Sequence, residues 1–140
     1  MVEDAVVPLQ PLNRRECLAL LAGVPVGRIA VTDQALPAIL PVNFALHGSD
    51  VIIRSVPGSK LAAATRGAVV AFEADSYDPV EQSGWSVLIV GVAQHVTDPV
   101  EAAELDRLGL HPYVDGAAVH YIRIPVTQIS GRRLQPPGAR

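Results

Sequence analysis

The chain has a single cysteine among its 140 residues, so no disulfide can form within it. One unpaired cysteine is typical of a reducing compartment, and we predict a cytoplasmic protein. Cys17 lies in an apolar pattern of helical period, where we expect a thiol to be buried and inert. No apolar run approaches the length of a transmembrane helix, and the first residues lack the basic segment and apolar core of a secretory signal. The sequence therefore predicts no membrane partner.

Charge is scarce too: charged residues make up 18% of the chain, and the net charge is −3. A mildly acidic chain of this kind is not expected to bind nucleic acid or an anionic membrane surface. Apolar residues reach 49%, and the mean hydropathy is +0.30. Because a small monomer has a large surface to cover, this excess predicts a buried subunit interface and a homodimer. The alternative is an ordinary domain rich in alanine and valine.

The motifs of several common sites are missing. No G-x-G-x-x-G follows a predicted strand, and Gly58-Ser59-Lys60 lacks the upstream glycine of a P-loop. The four histidines are widely spaced and are expected to be surface or hydrogen-bonded residues, and one cysteine cannot complete a zinc set. Asp75, Asp78 and Glu81 lack the alternating spacing of an EF-hand loop. We therefore predict no metal site, and the absence of a G-x-S-x-G elbow leaves the catalytic residues unassigned.

Turn and capping signals divide the chain into short elements. Asn13 and Glu16 have the spacing of a capping box before an apolar stripe, and Ser59 and Asp98 are typical N-caps of two further short helices. Six segments have the residue pattern of strands, and they are residues 28–32, 38–46, 51–56, 68–74, 85–96 and 120–130.

Six strands with three short helices cannot form a doubly wound fold, which needs a helix at each crossover. The economical alternative is a mainly β domain, a six-stranded antiparallel split barrel with peripheral helices. Residues 1–140 are predicted to form this single domain, with an extended N-terminal arm at 1–12 and a flexible tail at 134–140. Because residues 87–92 are apolar on both faces, one face should fill the barrel and the other should meet a partner subunit.

The turn after the third strand carries the strongest functional signal. Arg54, Ser55, Ser59 and Lys60 would converge there beside the start of a helix, whose first N–H groups are unpaired. Two cations, two hydroxyls and a helix N-terminus favour an anion, most naturally a phosphate. The alternative is a strand exit that carries a surface arginine and lysine.

Five segments occur in the order typical of one known family, and they are VGRIAV (residues 26–31), LPVNFA (40–45), IRSVPGSKL (53–61), VAFEAD (70–75) and GWSVLIVG (84–91). This ordered set resembles the flavin-binding split-barrel proteins related to pyridoxamine 5'-phosphate oxidase, in particular their nitroimidazole-reductase-like branch. The resemblance covers about residues 12–133. It implies a six-stranded split barrel that forms a homodimer with two flavin sites at the subunit interface.

By position, the resemblance also implies a cofactor site. Four residues would hold the FMN phosphate, and they are Arg54, Ser55, Ser59 and Lys60. Five would lie along the isoalloxazine ring or the ribityl chain, and they are Pro41, Val42, Asn43, Trp85 and Ser86. Arg132 is a further candidate near the end of the chain. As alternatives, Trp85 would be a core or interface aromatic, Asn43 a turn residue and Arg132 a solvated tail residue.

The resemblance implies an FMN-dependent oxidoreductase that acts on an unidentified small molecule by hydride or electron transfer. Reductases that use the deazaflavin F-420 share this barrel and its anion-binding turn, so F-420 is an alternative cofactor. Counterparts of the substrate-phosphate residues of the true oxidase are missing, which argues against vitamin B6 oxidation. A non-catalytic protein that stores or senses a flavin, deazaflavin or tetrapyrrole is the alternative function. An interaction module without a cofactor is the third.

Overall fold

The computed structural model describes residues 9–110 and 120–136. The strands of this part are β1 (Leu9–Leu12), β2 (Val26–Asp33), β3 (Leu36–His47), β4 (Asp50–Ser55), β5 (Val69–Asp78), β6 (Ser83–Val92), β7 (Gln94–Val96), β8 (His120–Ile124) and β9 (Gln128–Leu134). The helices are α1 (Arg14–Leu21), α2 (Lys60–Ala64) and α3 (Pro99–Asp106). Within these ranges, none of the helices is long and apolar enough to cross a membrane.

Neighbouring strands all run antiparallel, in the order β1-β9-β6-β5-β2-β3-β4-β8-β7. The last strand, β7, continues β6 after the single residue Ala93, so the sheet curls back on itself. At this bend the Ala93 N–H donates to the Ala68 carbonyl (2.8 Å). β2, β3, β4, β5, β8 and the bent β6–β7 segment enclose the core, and β9 and β1 extend the sheet beyond β6. The predicted fold class, a mainly β split barrel, is confirmed.

Nine strands in the described residues replace the predicted six, for three reasons. The predicted strand 85–96 is interrupted at Ala93, and the predicted strand 120–130 is broken after Ile124, where Pro125 has no N–H to donate to a ladder. β1 lies in the predicted extended arm and pairs with β9. Residues 1–8 of that arm and residues 137–140 of the predicted tail lie outside the described residues.

Alternate strand residues fill the barrel. Ile29 of β2, Phe72 of β5 and Ile89 of β6 are fully buried and lie opposite one another on adjacent strands, because successive strand side chains point to opposite faces. The rings of Phe44 and Phe72 pack edge to face with their centroids 4.8 Å apart. Cys17 of α1 belongs to the same core, so its predicted burial is confirmed.

A second, smaller apolar cluster holds α3 against the β4–β8 pair. It consists of Ile52, Leu105 and Tyr121. At its edge the Tyr121 hydroxyl donates to Asp106 Oδ1 (2.6 Å). Burial, followed by the hydrogen bond and charge of Asp106, raises the pKa of Tyr121 to about 12, so the phenol keeps its proton and remains a donor.

The predicted N-caps are confirmed at all three helices. The Glu16 N–H donates to Asn13 Oδ1 (2.8 Å), and the Asn13 N–H donates to Glu16 Oε1 (2.9 Å), which completes the predicted capping box. Ser59 and Asp98 cap α2 and α3 with their side-chain oxygens. The cap at Ser59 fixes α2 immediately after the end of β4.

Candidate functional site

The predicted anion turn joins the end of β4 to the start of α2. Gly58 has a φ of +81°, which glycine adopts without steric cost, and the Ser59 N–H donates to the Val56 carbonyl (3.1 Å) to close the turn. Ser59 Oγ accepts from the Ala62 N–H (3.1 Å), so the Ser59 hydroxyl can still donate its own proton. Because α2 has only five residues, side chains rather than a helix dipole are the principal donors here.

Two of the predicted phosphate residues, Ser55 and Ser59, meet at this turn. Ser55 is 4% exposed, and its Oγ lies 3.5 Å from Ser59 Oγ. Arg54 points to the other face of β4, because consecutive strand residues alternate. Its Nη1 donates to the Leu110 carbonyl (2.7 Å). The structure therefore joins the two hydroxyls, with the Arg54 guanidinium on the opposite side of the strand.

Lys60 is the first residue of α2, and 65% of its side chain is exposed. Its Nζ lies 3.6 Å from Oδ2 of Asp33 at the end of β2. An exposed ion pair of this kind contributes about 0–1 kcal/mol. The ammonium group can therefore turn from Asp33 to another anion at little cost.

Four other predicted residues face away from the core. They lie on the outer face of the sheet, meaning the side of β3, β2, β5, β6 and β9 that is opposite the core. Pro41 and Asn43 are two residues apart on β3 and flank a buried valine, so both point outward. On the far side of this face, Ser86 of β6 pairs with Arg132 of β9. The outer face therefore carries Pro41, Asn43, Ser86 and Arg132.

Val42 and Trp85 face the barrel interior instead. Val42 belongs to the main core, and Trp85 is half-buried and packs against that core. Because the Val42 side chain points inward, only the backbone of Val42 could contact a flavin ring on the outer face, and a backbone contact is what the sequence predicts. The packing of Trp85 agrees with the alternative interpretation of a core aromatic, and its role at a flavin ring stays a prediction.

Three charged residues in the middle of the outer face were not predicted. Arg28 Nη1 lies 3.7 Å from both Glu73 Oε1 and Asp75 Oδ2. Burial, followed by the hydrogen bond and charge of Asp75, raises the pKa of Glu73 to about 7 against the lowering effect of Arg28. The alternation of Glu73 and Asp75 could have revealed that they share a face. Arg28 joins them through the β2–β5 register, which no local pattern specifies.

A second unpredicted group lies on the inner side of the anion turn. His95 Nε2 of β7 is 3.0 Å from Oγ1 of the buried Thr65, just after α2. The rings of His95 and His120 lie edge to face with their centroids 6.5 Å apart. Burial, followed by the charges of Arg66 and His120, lowers the pKa of His95. Across residues 9–110 and 120–136, no three His, Cys, Asp or Glu side chains are grouped so as to hold a metal ion.

Known proteins are similar to this chain in sequence and fold over almost its whole length. The family model described as pyridoxamine 5'-phosphate oxidase matches residues 13–133. An FAD binding protein of Mycobacterium smegmatis is 38% identical, with a TM-score of 0.77 over 94% of this chain and 99% of its own. A Corynebacterium glutamicum protein, provisionally assigned as a pyridoxamine 5'-phosphate oxidase, is 30% identical, with a TM-score of 0.79 over 92% of this chain and 95% of its own.

A third solved structure is similar in fold alone. It is a Bacteroides thetaiotaomicron protein provisionally assigned to 5-nitroimidazole antibiotic resistance, with 17% identity and a TM-score of 0.75 over 96% of this chain and 94% of its own. The family match over residues 13–133, together with the two closer structures, confirms the resemblance found in the sequence. The chain therefore belongs to the pyridoxamine 5'-phosphate oxidase family.

Proposed function

We propose that this protein binds a flavin nucleotide, with FMN as the first candidate, and holds its phosphate at the turn between β4 and α2. The observation that carries the proposal is the approach of Ser55 Oγ to within 3.5 Å of Ser59 Oγ, in a turn that leads to Lys60 at the start of α2. The 38% identity to an FAD binding protein supports a flavin over a deazaflavin.

The chemistry of this donor set fits a phosphate. Both hydroxyls can donate a proton, and the Lys60 ammonium group next to them can form a strong charge-assisted bond with a phosphate oxygen. Asp33 is the one carboxylate in contact with Lys60 among the described residues, and the Lys60 side chain is 65% exposed. A phosphate dianion beside Lys60 therefore competes with a single weak partner.

The outer face is the proposed surface for the flavin ring. Pro41 and Asn43 face outward on β3, and Ser86 and Arg132 form a polar pair on β6 and β9. We assign Asn43 and Ser86 to orienting the ring and the ribityl chain, and Arg132 to their charged or carbonyl oxygens. Redox chemistry at a bound flavin comes from the ring itself, while the chain supplies position and excludes water.

We propose that a second copy of the chain packs against the outer face. Apolar side chains on it remain exposed in one copy: Ile39 is 68% exposed and Val69 is 67% exposed. Leu88 and Val92 of β6 are also exposed, although large apolar patches are uncommon on monomers. A homodimer would bury these residues and enclose a flavin between the subunits, as the sequence resemblance implies.

The proposed activity is hydride or electron transfer to or from a small molecule, in the cytoplasm. A protein that stores or carries the same flavin without turnover is the competing outcome. We expect the purified protein to show the visible absorption of a flavin, or to acquire it on titration with FMN or FAD. Binding of F-420 alone would replace the flavin in the proposal. Binding of none of the three would contradict it.

Turnover separates the enzyme from the carrier. Reduction of the bound flavin by NADH, NADPH or dithionite is followed by absorbance, and reoxidation is then tested with nitroaromatic, quinone and oxygen acceptors. Rapid reoxidation by one acceptor class supports an oxidoreductase. A flavin that binds tightly but exchanges electrons with none of them supports a carrier.

The dimer is tested by a charge placed on the outer face. We expect Ile39→Lys to convert a dimer to a monomer in sedimentation, because a buried lysine would lack a partner. Val100→Lys is the matched control, since Val100 is 77% exposed but lies on α3. A wild-type monomer at micromolar concentration would contradict the dimer.

A further inference from the structure

The inner side of the anion turn carries a line of polar side chains from separate elements. Ser55 of β4 pairs with His120 of β8, and paired residues of an antiparallel ladder project on the same face. The ring contact of His120 with His95 agrees with this orientation, because His95 pairs with Ile122, whose side chain lies in the core. Ser59, Ser55, His120 and His95 therefore follow one another along the end of the barrel beneath α2.

His95 is fixed by a buried hydroxyl. Thr65 is fully buried, and its Oγ1 donates to the Leu61 carbonyl (2.7 Å). His95 Nε2 lies 3.0 Å from the same Oγ1, and this hydrogen bond orients the His95 ring. Burial and the neighbouring charges of Arg66 and His120 lower the pKa of His95, which favours its neutral form. His95 is thus an oriented neighbour of His120.

We propose that His120 is a further anion-binding residue, which contacts the flavin phosphate held by Ser55 and Ser59. This inference rests on the proposed function and extends its phosphate site to β8. Directly paired residues have Cβ atoms about 4.5–5.5 Å apart, so an oxygen bonded to Ser55 Oγ lies within reach of the His120 ring. His120 is half-buried, and partial burial strengthens a hydrogen bond from a ring N–H to a phosphate oxygen.

The charges around this pair of rings favour an anion. Arg66 follows α2 and acts on His95, and Lys60 begins α2. Arg54 and Tyr121 are paired on the other face of the β4–β8 ladder. Asp33 is the carboxylate that contacts this part of α2 in the described residues, and it pairs with Lys60. A phosphate dianion placed here would therefore meet two cations, and the one carboxylate near it is already paired with Lys60.

The test compares FMN with riboflavin, which has the same ring but lacks the phosphate. Affinities of the wild type, His120→Gln and the control His47→Gln are measured by fluorescence titration at pH 6.5 and pH 8.5. His47 pairs with Glu104 at a distance of 3.0 Å and lies away from the turn. We expect His120→Gln to weaken FMN binding about tenfold, with riboflavin binding unchanged.

Equal FMN affinity of wild type and His120→Gln at both pH values would overturn the role of His120 alone. Equal losses for FMN and riboflavin would assign His120 a structural role. Failure of the wild type to bind either compound would overturn the proposed function itself.

Discussion

Gly131 of β9 lies directly against the thiol of Cys17 in α1. A Cβ atom built on Gly131 would stand 2.5 Å from Cys17 Sγ and 3.2 Å from the Ser86 carbonyl oxygen. Burial, followed by the charge of Glu16, raises the pKa of the Cys17 thiol, so the sulfur stays protonated and behaves as a small apolar group. The absence of a side chain at Gly131 allows α1 to pack on β9 next to the proposed residue Arg132.

We expect Gly131→Ala to lower the free energy of unfolding by about 1–3 kcal/mol, because the added methyl group overpacks this contact. Urea denaturation measures the change. Gly23→Ala is the control, since a Cβ there would meet the Leu20 carbonyl oxygen at an ordinary 3.5 Å. Cys17→Ala removes the sulfur, so the double variant should recover part of the loss. A coupling energy of zero in this cycle would show that the sulfur is not the obstacle.

The helix starts could be predicted because their signals are local. Asn13 and Glu16 are three residues apart and satisfy each other's backbone, which requires no contact from elsewhere in the chain. The break at Ala93 is different, because β6 and β7 have different neighbouring strands. This change of neighbouring strands depends on how the whole sheet closes, and the strand propensities of individual residues do not predict it.

In the candidate site, too, the groupings that depend on neighbouring residues could be predicted, and those that depend on distant strands could not. Ser55 and Ser59 flank one short turn, and the structure brings them together as predicted. The sequence prediction also grouped Arg54 with Ser55. Consecutive residues of a strand point to opposite faces, so their side chains do not meet. The pairing of Ser86 with Arg132 depends on the register between distant strands. That register is fixed by the packing of both strands against the core.

The raised pKa of the Glu73 carboxyl group predicts that the free energy of unfolding depends on pH. Its pKa is raised from 4.5 to about 7, so its contribution is fully present below about pH 4.5 and is lost as the pH rises to about 7. The Glu73 side chain is 35% exposed, and we therefore expect, after allowing for solvent screening, a loss below about 1 kcal/mol. Thermal denaturation of the wild type between pH 4.5 and 8 measures it.

Glu73→Gln should remove this part of the pH dependence, because the amide cannot ionise. At pH 8 the variant should be at least as stable as the wild type. Glu81→Gln is the control, since Glu81 is an exposed residue of the β5–β6 hairpin. If the stability profiles of wild type and Glu73→Gln remain parallel from pH 4.5 to 8, Glu73 does not titrate in that range.

The hydrogen bond from the Tyr121 hydroxyl to Asp106 is expected to stabilise the packing of α3. Tyr121→Phe removes the bond to Asp106 Oδ1 but keeps the ring in its apolar cluster. We expect a loss of about 1–2 kcal/mol in the free energy of unfolding, since the bond involves a charged acceptor that water can partly satisfy afterwards. Tyr77→Phe is the matched control, because Tyr77 is exposed on β5. A similar change in both variants would mean that the bond to Asp106 contributes little.

Alanine variants of Lys60 and Arg54 should differ both in phosphate binding and in stability. Lys60→Ala should weaken FMN binding by about 1.5–3 kcal/mol, whereas Arg54→Ala should weaken it less, because the Arg54 guanidinium group lies on the opposite face of β4 from Ser55. Lys60→Ala should leave the free energy of unfolding within about 0.5 kcal/mol of the wild type, whereas Arg54→Ala also loses the bond to the Leu110 carbonyl. Fluorescence titration and urea denaturation measure the two quantities separately.

Lys60 also provides a direct spectroscopic test, because it is the only lysine in the chain. Reductive methylation with ¹³C-formaldehyde labels its ammonium group and the N-terminal amine alone. FMN should shift the Lys60 signal, whereas riboflavin should leave it near its free position, since the ammonium group is expected to contact the phosphate. Arg107→Ala, on the exposed end of α3, should change neither the shift nor the affinity. An unshifted Lys60 signal in the FMN-saturated protein would place the phosphate elsewhere, even if Lys60→Ala weakened binding through a general loss of positive charge.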